Sequence, residues 1–402
     1  MKYYMIKATV SNAQHLEYGQ ITITFPIPDE EYDDVLARLE AMKLGDAVKR
    51  DCRLDELDSH YSILKRLEQT AVNIDELDYL AKRLDSFCVG EDAQFQGMAV
   101  KLGVSDMTDF INLTFCCQQA TVITDFSDLE RIGRDHVLTI NGGGMPIDKL
   151  NQVDGRLVAL DLIGNHDGDI TPYGVVYDNG MELEQLYDGR HFPAYLYEQS
   201  VMEVAMTHRN EPEDTENITW LFLPMSQTQI ERAMLRAGVD TDNEMRLQFS
   251  WSDLPDEVDV ILDFEQESLG SLNQMCAAIA QLDRSDLPKL ASAVSMAEPK
   301  NATQIKHLAE QLDLFDFVPG ARSAADYGRY MIMESGRFEY DDNLAGYYDF
   351  EKYGQERMER EYGEFADRGY ISYHGALSLK ELTHGSQEER MELSMGGMGG
   401  ME

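Results

Sequence analysis

The same succession of predicted strands and helices occurs twice along this chain of 402 residues. Alternating apolar and polar residues predict strands, and apolar residues spaced by three or four predict helices. In the first half, a strand, a strand, a helix and a strand are predicted over residues 3–10, 20–25, 29–45 and 47–54. In the second half, the same order is predicted over residues 202–207, 218–223, 226–237 and 245–251. A shared order at a nearly constant offset indicates an internal duplication.

Helical patterns follow both of these β-β-α-β units. The apolar stripe of residues 77–84 recurs about 195 residues later, over residues 272–279. Asn73 and either Asp106 or Thr108 are predicted to begin helices. Several short helices joined by polar links are typical of a small bundle. The sequence therefore predicts an elongated α+β protein of several modules, with two tandem repeats that each contain a small β-β-α-β unit and a short helical bundle.

Residues 147–199 have no counterpart in this pattern. Three glycines at 142–144 mark a boundary before them, and turn signals separate the apolar runs that follow. Strands are predicted over residues 157–163, 174–177 and 191–197, which makes this segment a β-rich insert.

These patterns divide the chain into seven predicted segments. They are a β-β-α-β module (1–60), a helical module with an abbreviated third module (61–146), the β-rich insert (147–199), a second β-β-α-β module (200–262), a second helical module (263–322), an acidic α+β module (323–384) and a flexible tail (385–402).

Net charge limits the kinds of partner that this chain can bind. Its 74 Asp and Glu against 34 Lys and Arg give a formal charge of −40. Such a charge repels duplex DNA and anionic membranes and attracts basic surfaces. Solubility or salt tolerance alone would also explain the acidity, but halophilic proteins are usually poorer in bulky aromatics than a chain with 20 Tyr and 15 Phe. We expect a basic protein partner, with no direct contact to nucleic acid or membrane.

Motifs for catalysis or cofactor binding are not found in the sequence. The five cysteines form no CxxC pair, which argues against a disulfide framework or a zinc site. The EF-hand frame fails around Gly168, and the glycines at 142–144 lack a P-loop ending. His136 and His166 stand near no nucleophile motif. We predict no catalytic residue, metal or cofactor. With no signal-peptide core and no apolar run of about 18 residues, a cytoplasmic location is expected.

Residues 338–367 concentrate the acidity among aromatic residues. They contain ten acids, three bases and eight Phe or Tyr. The aromatic side chains can anchor this stretch to a folded body, so that the acids face water. Together with acids in the first half, they form a predicted partner-binding surface: Asp29, Glu30, Glu31, Asp33, Asp34, Asp75, Glu76, Asp128, Glu130, Asp135, Glu339, Asp341, Asp342, Asp349, Glu351, Glu356, Glu359, Glu361 and Glu364.

A helix is predicted within this stretch, from Asp349 to Tyr362. Apolar spacing turns Phe350, Tyr353, Met358 and Tyr362 inward in this prediction. Residues 128–135 align with residues 349–356, which indicates a shorter relative of the acidic module in the first half.

Several motifs resemble the ArdA antirestriction family. In the last module they are YGRY at 327–330, YYDFEKYG at 347–354 and GYI at 369–371. Earlier motifs are WLFLP at 220–224 and the Leu-Asn pair at 272–273, with Leu-Asp at 77–78 in the first half. The resemblance covers most of residues 1–140 and 200–375.

This resemblance implies a three-module protein that mimics bent B-form DNA. Members of the family bind the DNA-recognition face of type I restriction-modification enzymes, the methyltransferase and specificity complex, and often dimerise. They are carried by conjugative elements. The charge is compatible with mimicry, because 40 excess charges spread along one track would match about 68 Å of duplex, or roughly 20 base pairs, at one charge per ~1.7 Å.

Two other functions remain open from the sequence. An acidic adaptor for another basic protein, such as a regulator or conjugation factor, would carry its acids in separate patches. A metal-dependent hydrolase would require several carboxylates converging in one concave pocket, for which the sequence shows no motif.

Overall fold

A computed structural model describes residues 4–385, apart from the side chains of residues 342, 344 and 345. Except for its first residue, the flexible tail predicted over 385–402 lies outside the described residues. The chain forms two compact units. Unit 1 comprises the residues up to 197 together with 217–219 and 226–238, and unit 2 comprises 198–216, 220–225 and the residues from 239 onward.

The described chain consists of short strands and short helices. The strands and helices up to residue 197 are β1 (Ile6–Ser11), β2 (Gln20–Phe25), α1 (Asp29–Ala41), β3 (Cys52–Ser59), β4 (Ala71–Val72), α2 (Ile74–Asp85), α3 (Glu91–Leu102), α4 (Met107–Leu113), β5 (Thr121–Ile123), α5 (Leu129–Ile140), α6 (Ile147–Leu150), α7 (Gly155–Asn165), β6 (Asp169–Thr171) and β7 (Gly174–Tyr177). Those after it are β8 (Met202–His208), β9 (Thr219–Leu223), α8 (Gln227–Ala237), β10 (Met245–Ser252), α9 (Asp256–Asp259), α10 (Leu269–Ile279), α11 (Leu287–Ala297), α12 (Ala302–Glu310), β11 (Phe315–Pro319), α13 (Ala324–Met333), α14 (Phe350–Glu361), β12 (Glu364–Ala366), β13 (Gly369–Tyr373) and α15 (Leu379–Thr383). The predicted α+β class is confirmed.

Both β-β-α-β units place their first strand in the middle of an antiparallel sheet. The strand orders are β2-β1-β3-β4 and β10-β8-β9. In β1, Ile6, Ala8 and Val10 are fully buried, which is the period of two that the sequence predicts. The third strand begins later than predicted, at Cys52, because the Asp46 carboxylate accepts the N–H groups of residues 48 and 49 and folds residues 46–51 into a turn.

The helix after each β unit holds the loop that follows the second strand. The Asp78 carboxylate on α2 accepts the Ile27 N–H at 2.6 Å. At the matching position on α10, the Asn273 side chain accepts the Met225 N–H at 2.8 Å and donates to the Met225 carbonyl. Burial raises the pKa of Asp78 against the opposing effect of the Lys82 ammonium. The two loops are therefore held by the same kind of bond, although only the first half uses a buried acid.

The three-stranded sheets in the third modules of the two halves have the same topology. Their strand orders are β5-β7-β6 and β11-β13-β12. In each module, helices connect the first strand to the second: α5, the short α6 and α7 in the first half, and α13 and α14 in the second half. In the first half β5 pairs with β7, in register from Thr121 opposite Tyr177. The predicted boundary at 146/147 therefore falls inside a sheet, and the first half contains a full third module rather than an abbreviated one.

Two strands predicted in the insert are wrong. Residues 157–163 lie in α7, because the Asp154 carboxylate caps its first turn and the helical spacing buries Ala159 and Leu162. A short apolar run does not distinguish a strand from a helix by periodicity alone. Residues 191–197 form no strand. The segment 147–199 is thus mixed α and β instead of β-rich.

The predicted alignment of residues 128–135 with residues 349–356 is also wrong. In the topology, α5 occupies the place of α13, and Gly133-Arg134 corresponds to Gly328-Arg329. The helix that corresponds to α14 is α7. Helices α5 and α14 both begin after an aspartate cap. This shared feature led the sequence prediction to align the wrong pair of helices.

Glycines allow the two helices of each third module to touch through their backbones. A Cβ atom at Gly133 would lie 1.8 Å from the Gly155 carbonyl oxygen. In the second half, a Cβ at Gly354 would lie 1.9 Å from the Ala324 carbonyl oxygen. Any side chain at these positions requires the helices to separate.

The Gly354→Ala substitution is expected to destabilise the protein by about 3 kcal/mol, since overpacking of this kind forces backbone shifts. Thermal unfolding followed by circular dichroism measures the effect. Gly346→Ala is the control, because no atom lies within 4 Å of its Cβ position. Equal stability of the two variants would show that α13 and α14 do not pack through Gly354.

Candidate partner-binding surface

Most of the nineteen predicted surface acids face water. The exposed ones are Asp29, Glu30, Glu31, Asp33, Asp34, Asp128, Asp135, Glu339, Asp341, Asp349, Glu351, Glu356, Glu359 and Glu364. Glu130 and Glu361 are half-buried, and Asp75 and Glu76 are buried. Asp342 lies outside the residues whose side chains the structure describes.

Helix α14 presents the densest group of these acids. The Asp349 carboxylate caps the helix by accepting the Lys352 N–H at 3.0 Å. Phe350, Tyr353 and Met358 are half-buried beneath the helix, as predicted. Tyr362 departs from its predicted inward position: it ends the helix in a left-handed conformation and is 89% exposed. The outer surface of α14 therefore combines carboxylates with an exposed aromatic ring.

Glu361 differs from the other acids of α14. Its carboxylate accepts hydrogen bonds from the Tyr327 hydroxyl and from the Arg357 guanidinium. Burial, followed by the nearby Glu361 carboxylate, raises the pKa of Tyr327. Glu361 therefore holds α14 against α13, and the exposed acids Glu351, Glu356, Glu359 and Glu364 are the ones available to a partner.

The acids of α1 lie at the beginning of that helix. Asp29, Glu30 and Glu31 occupy its first turn, where the helix dipole stabilises negative charge. Asp29 also accepts a hydrogen bond from the Gln229 amide, and Asp33 accepts one from the Ser226 hydroxyl. Part of this acidic group is therefore bound to the start of α8 within unit 1.

Asp75 is part of a buried ion cluster and not of the surface. Its carboxylate accepts bonds from Arg232 at 2.8 and 3.0 Å, from Arg236, and from the Tyr32 hydroxyl at 2.7 Å. Burial would raise the pKa of Asp75, but the Arg236 and Arg232 guanidinium groups outweigh it and lower the pKa. Asp75 therefore does not lie on an exposed acidic surface, where the sequence placed it, because two arginines from α8 enclose it.

Glu76 is likewise internal. It accepts bonds from the Arg50 guanidinium at 2.6 and 2.8 Å and from the Tyr187 hydroxyl at 3.1 Å. Only 2% of its surface is exposed. Its partners are 26 and 111 residues away in sequence, so spacing along α2 contains no signal for either bond.

The third module of the first half presents a different surface. Asp128 caps α5, and the Glu130 carboxylate accepts the backbone N–H groups of Gly155 and Arg156 at the start of α7. Both acids therefore have structural partners. The large apolar side chains exposed on its helices are aliphatic: Ile140, Ile147, Leu157, Leu160 and Ile163, whereas the loop before α5 exposes Phe126.

Formal charge differs between the helical segments of the two third modules, although the complete modules, residues 121–177 and 315–373, carry similar net charges of −5 and −6. Residues 129–165 contain five acids and four bases, for a net charge of −1. The corresponding residues 324–361 contain ten acids and five bases, for a net charge of −5. The helices of the second-half module are thus more acidic than those of the first-half module, whereas the acids of the first-half module lie partly in its loops and strands.

Among the described residues, no group of three His, Cys, Asp or Glu side chains could hold a metal ion. None of the described helices is long and apolar enough to cross a membrane.

Comparison with known proteins identifies one family. Its model, described as Antirestriction protein (ArdA), matches residues 218–372. The match extends from the second strand of the β-β-α-β unit through the helical module to β13. It confirms the predicted resemblance for this part of the chain and includes α14 with its exposed acids. No curated protein matches the chain significantly.

Proposed function

We propose that this chain, whose residues 218–372 match the ArdA antirestriction family, is a DNA mimic that occupies the DNA-binding cleft of type I restriction-modification enzymes. The supporting observation is that α14 holds Glu351, Glu356 and Glu359 outward on a packed helix. Carboxylates held on an ordered helix can replace phosphates of DNA in a basic cleft. The chain acts by binding and needs no catalytic residue or cofactor.

The repeated topology supports a mimic with two sets of modules. Both halves contain a β-β-α-β unit, a helical module and a three-stranded third module. We infer that the chain arose by tandem duplication of a three-module protein. One molecule then supplies the two sets of modules that a pair of ordinary subunits would supply. Dimerisation, which the family resemblance implies, would add a further set.

Competition with DNA tests the proposal. Purified protein is expected to co-precipitate with a type I methyltransferase and to displace a DNA duplex containing its recognition sequence. Displacement should weaken steeply between 50 and 200 mM salt, since charge pairing of this kind can change affinity by about 10³ over that range. Failure to displace DNA at the lowest salt concentration would refute mimicry.

A second function, an acidic adaptor for another basic protein, is favoured by one observation. Asp75 and Glu76 are buried, and the helical segment 129–165 has a net charge of only −1, so these parts of the first half would add little to a continuous acidic track. An adaptor would bind the methyltransferase or another basic protein without displacing its DNA. The competition experiment therefore distinguishes the two functions directly.

A further inference from the structure

Exposed aromatic rings lie at both ends of the acidic helix α14. Tyr347 precedes the helix and is 87% exposed, and Tyr362 follows it and is 89% exposed. Fourteen residues lie between them, and the twelve of these that form α14 span about 18 Å at ~1.5 Å per residue. Glu351, Glu356 and Glu359 are exposed between them. The third module of the first half instead exposes aliphatic side chains at the corresponding helices.

Packing does not explain the ring of Tyr362. Its backbone has φ +50°, a left-handed conformation that glycine or asparagine adopts more easily. The corresponding helix of the first half ends without this conformation, at His166 with φ −119°. A large aromatic residue is thus held in an unfavourable backbone conformation while its ring remains in water.

Arginine is the side chain that fits such a surface best. Its planar guanidinium can stack on an aromatic ring and pair with a carboxylate at the same time, whereas the lysine ammonium is compact and strongly hydrated. Contacts between a guanidinium and an aromatic ring already occur inside this protein. The Arg83 guanidinium lies 4.2 Å from the Phe115 ring centre and 4.3 Å from that of Tyr195. Next to α14, Arg329 lies 5.1 Å from the Phe350 ring centre.

We propose that Tyr347, Tyr362 and the exposed acids between them select arginine side chains on the basic partner in preference to lysine. The inference rests on the proposed function, because it names the chemistry of the partner surface that α14 would contact. The carboxylates attract any cation, and the two tyrosine rings cause the preference for arginine over lysine. The helices of the first-half module, residues 129–165, carry a net charge of −1 and expose aliphatic side chains, and have no part in this selection.

Two peptides of equal charge test the preference, nona-arginine and nona-lysine. The full chain is expected to bind nona-arginine about tenfold more tightly, from two exposed cation–π contacts. In protein with ¹³C-labelled tyrosine, nona-arginine should shift the ring signals of Tyr347 and Tyr362, and nona-lysine should shift them much less. Equal affinity for both peptides, or unshifted ring signals, would overturn the proposal.

Substituted variants distinguish the effect of the two tyrosine rings from the effect of the acidic charge. The Tyr347→Ser/Tyr362→Asn variant keeps a residue that tolerates the left-handed backbone at 362, so that folding is preserved. We expect its preference for nona-arginine to fall to about twofold or less, with unchanged affinity for nona-lysine. The matched control, Ile147→Ser/Leu157→Ser in the first-half module, should keep the full preference. An unchanged preference in the tyrosine variant would refute the role of the rings.

The DNA competition experiment separates failure of this inference from failure of the proposed function. If wild-type protein displaces DNA from the methyltransferase and the tyrosine variant does so equally well, the inference fails and mimicry stands. If wild-type protein does not displace DNA, mimicry fails whatever the peptides show.

Discussion

Replacing Asp75 with asparagine is expected to destabilise the protein by about 3–5 kcal/mol, the usual effect of removing one partner from a buried ion pair. The substitution would leave the buried guanidinium of Arg232 and the neighbouring Arg236 without a negative partner. Urea unfolding followed by circular dichroism measures the loss. The Asp34→Asn variant, an exposed acid on α1, should change stability by less than about 0.5 kcal/mol.

A triple variant tests whether the ion cluster itself causes the loss. Asp75→Asn/Arg232→Met/Arg236→Met removes all the charges and fills the space with apolar atoms, which is often neutral for buried ion clusters. It should be clearly more stable than Asp75→Asn alone. If Asp75→Asn left stability unchanged but weakened partner binding, Asp75 would belong to the surface after all.

The contribution of Asp75 to the free energy of unfolding is also expected to depend on pH. Because the pKa of Asp75 is lowered in the folded protein, its stabilising effect is complete above the unfolded value of about 4. The effect disappears as the pH falls through the lowered pKa. The stability difference between wild type and Asp75→Asn should therefore shrink below about pH 4.

Neutralising four acids of the second-half third module is expected to weaken binding to a type I methyltransferase at least about tenfold at low salt. The variant is Glu351→Gln/Glu356→Gln/Glu359→Gln/Glu364→Gln, all exposed positions. Each single substitution should weaken binding by less than about threefold, because exposed charges contribute little individually. The logarithmic salt dependence of binding should also become shallower in the quadruple variant. Fluorescence anisotropy of labelled protein gives these affinities.

A control variant that loses the same number of negative charges shows whether binding depends on the local acidic surface or only on the net charge of the protein. Glu213→Gln/Asp214→Asn/Glu216→Gln/Asp242→Asn removes four exposed acids elsewhere in unit 2. Binding by this variant should remain near the wild-type value. Equal weakening by both quadruple variants would mean that the partner senses only net charge, and a complete loss from one single substitution would indicate a focused site.

Local patterns predicted the elements of the fold well where they were long and periodic. Strand β1, with its buried residues at every second position, and helix α2, with its Asn73 cap, occur where the sequence placed them. The order of elements in both β-β-α-β units also followed from the sequence. Apolar runs without a clear period misled the prediction, as in α7, where the Asp154 cap and packing against α5 produce a helix.

The acidic surface shows the same division between sequence and structure. The sequence alone determined that the chain is strongly negative, that its acids accompany aromatic residues near residues 338–367, and that an ordered helix carries several of them. Tertiary structure decided which acids are available. Arg232 encloses Asp75 from 157 positions away, and Arg50 encloses Glu76 from 26 positions away. The tertiary structure also exposed the Tyr362 side chain to water, although the sequence pattern placed it inward. Charge and periodicity are properties of neighbouring residues, whereas burial and ion pairing depend on residues that meet only when the chain folds.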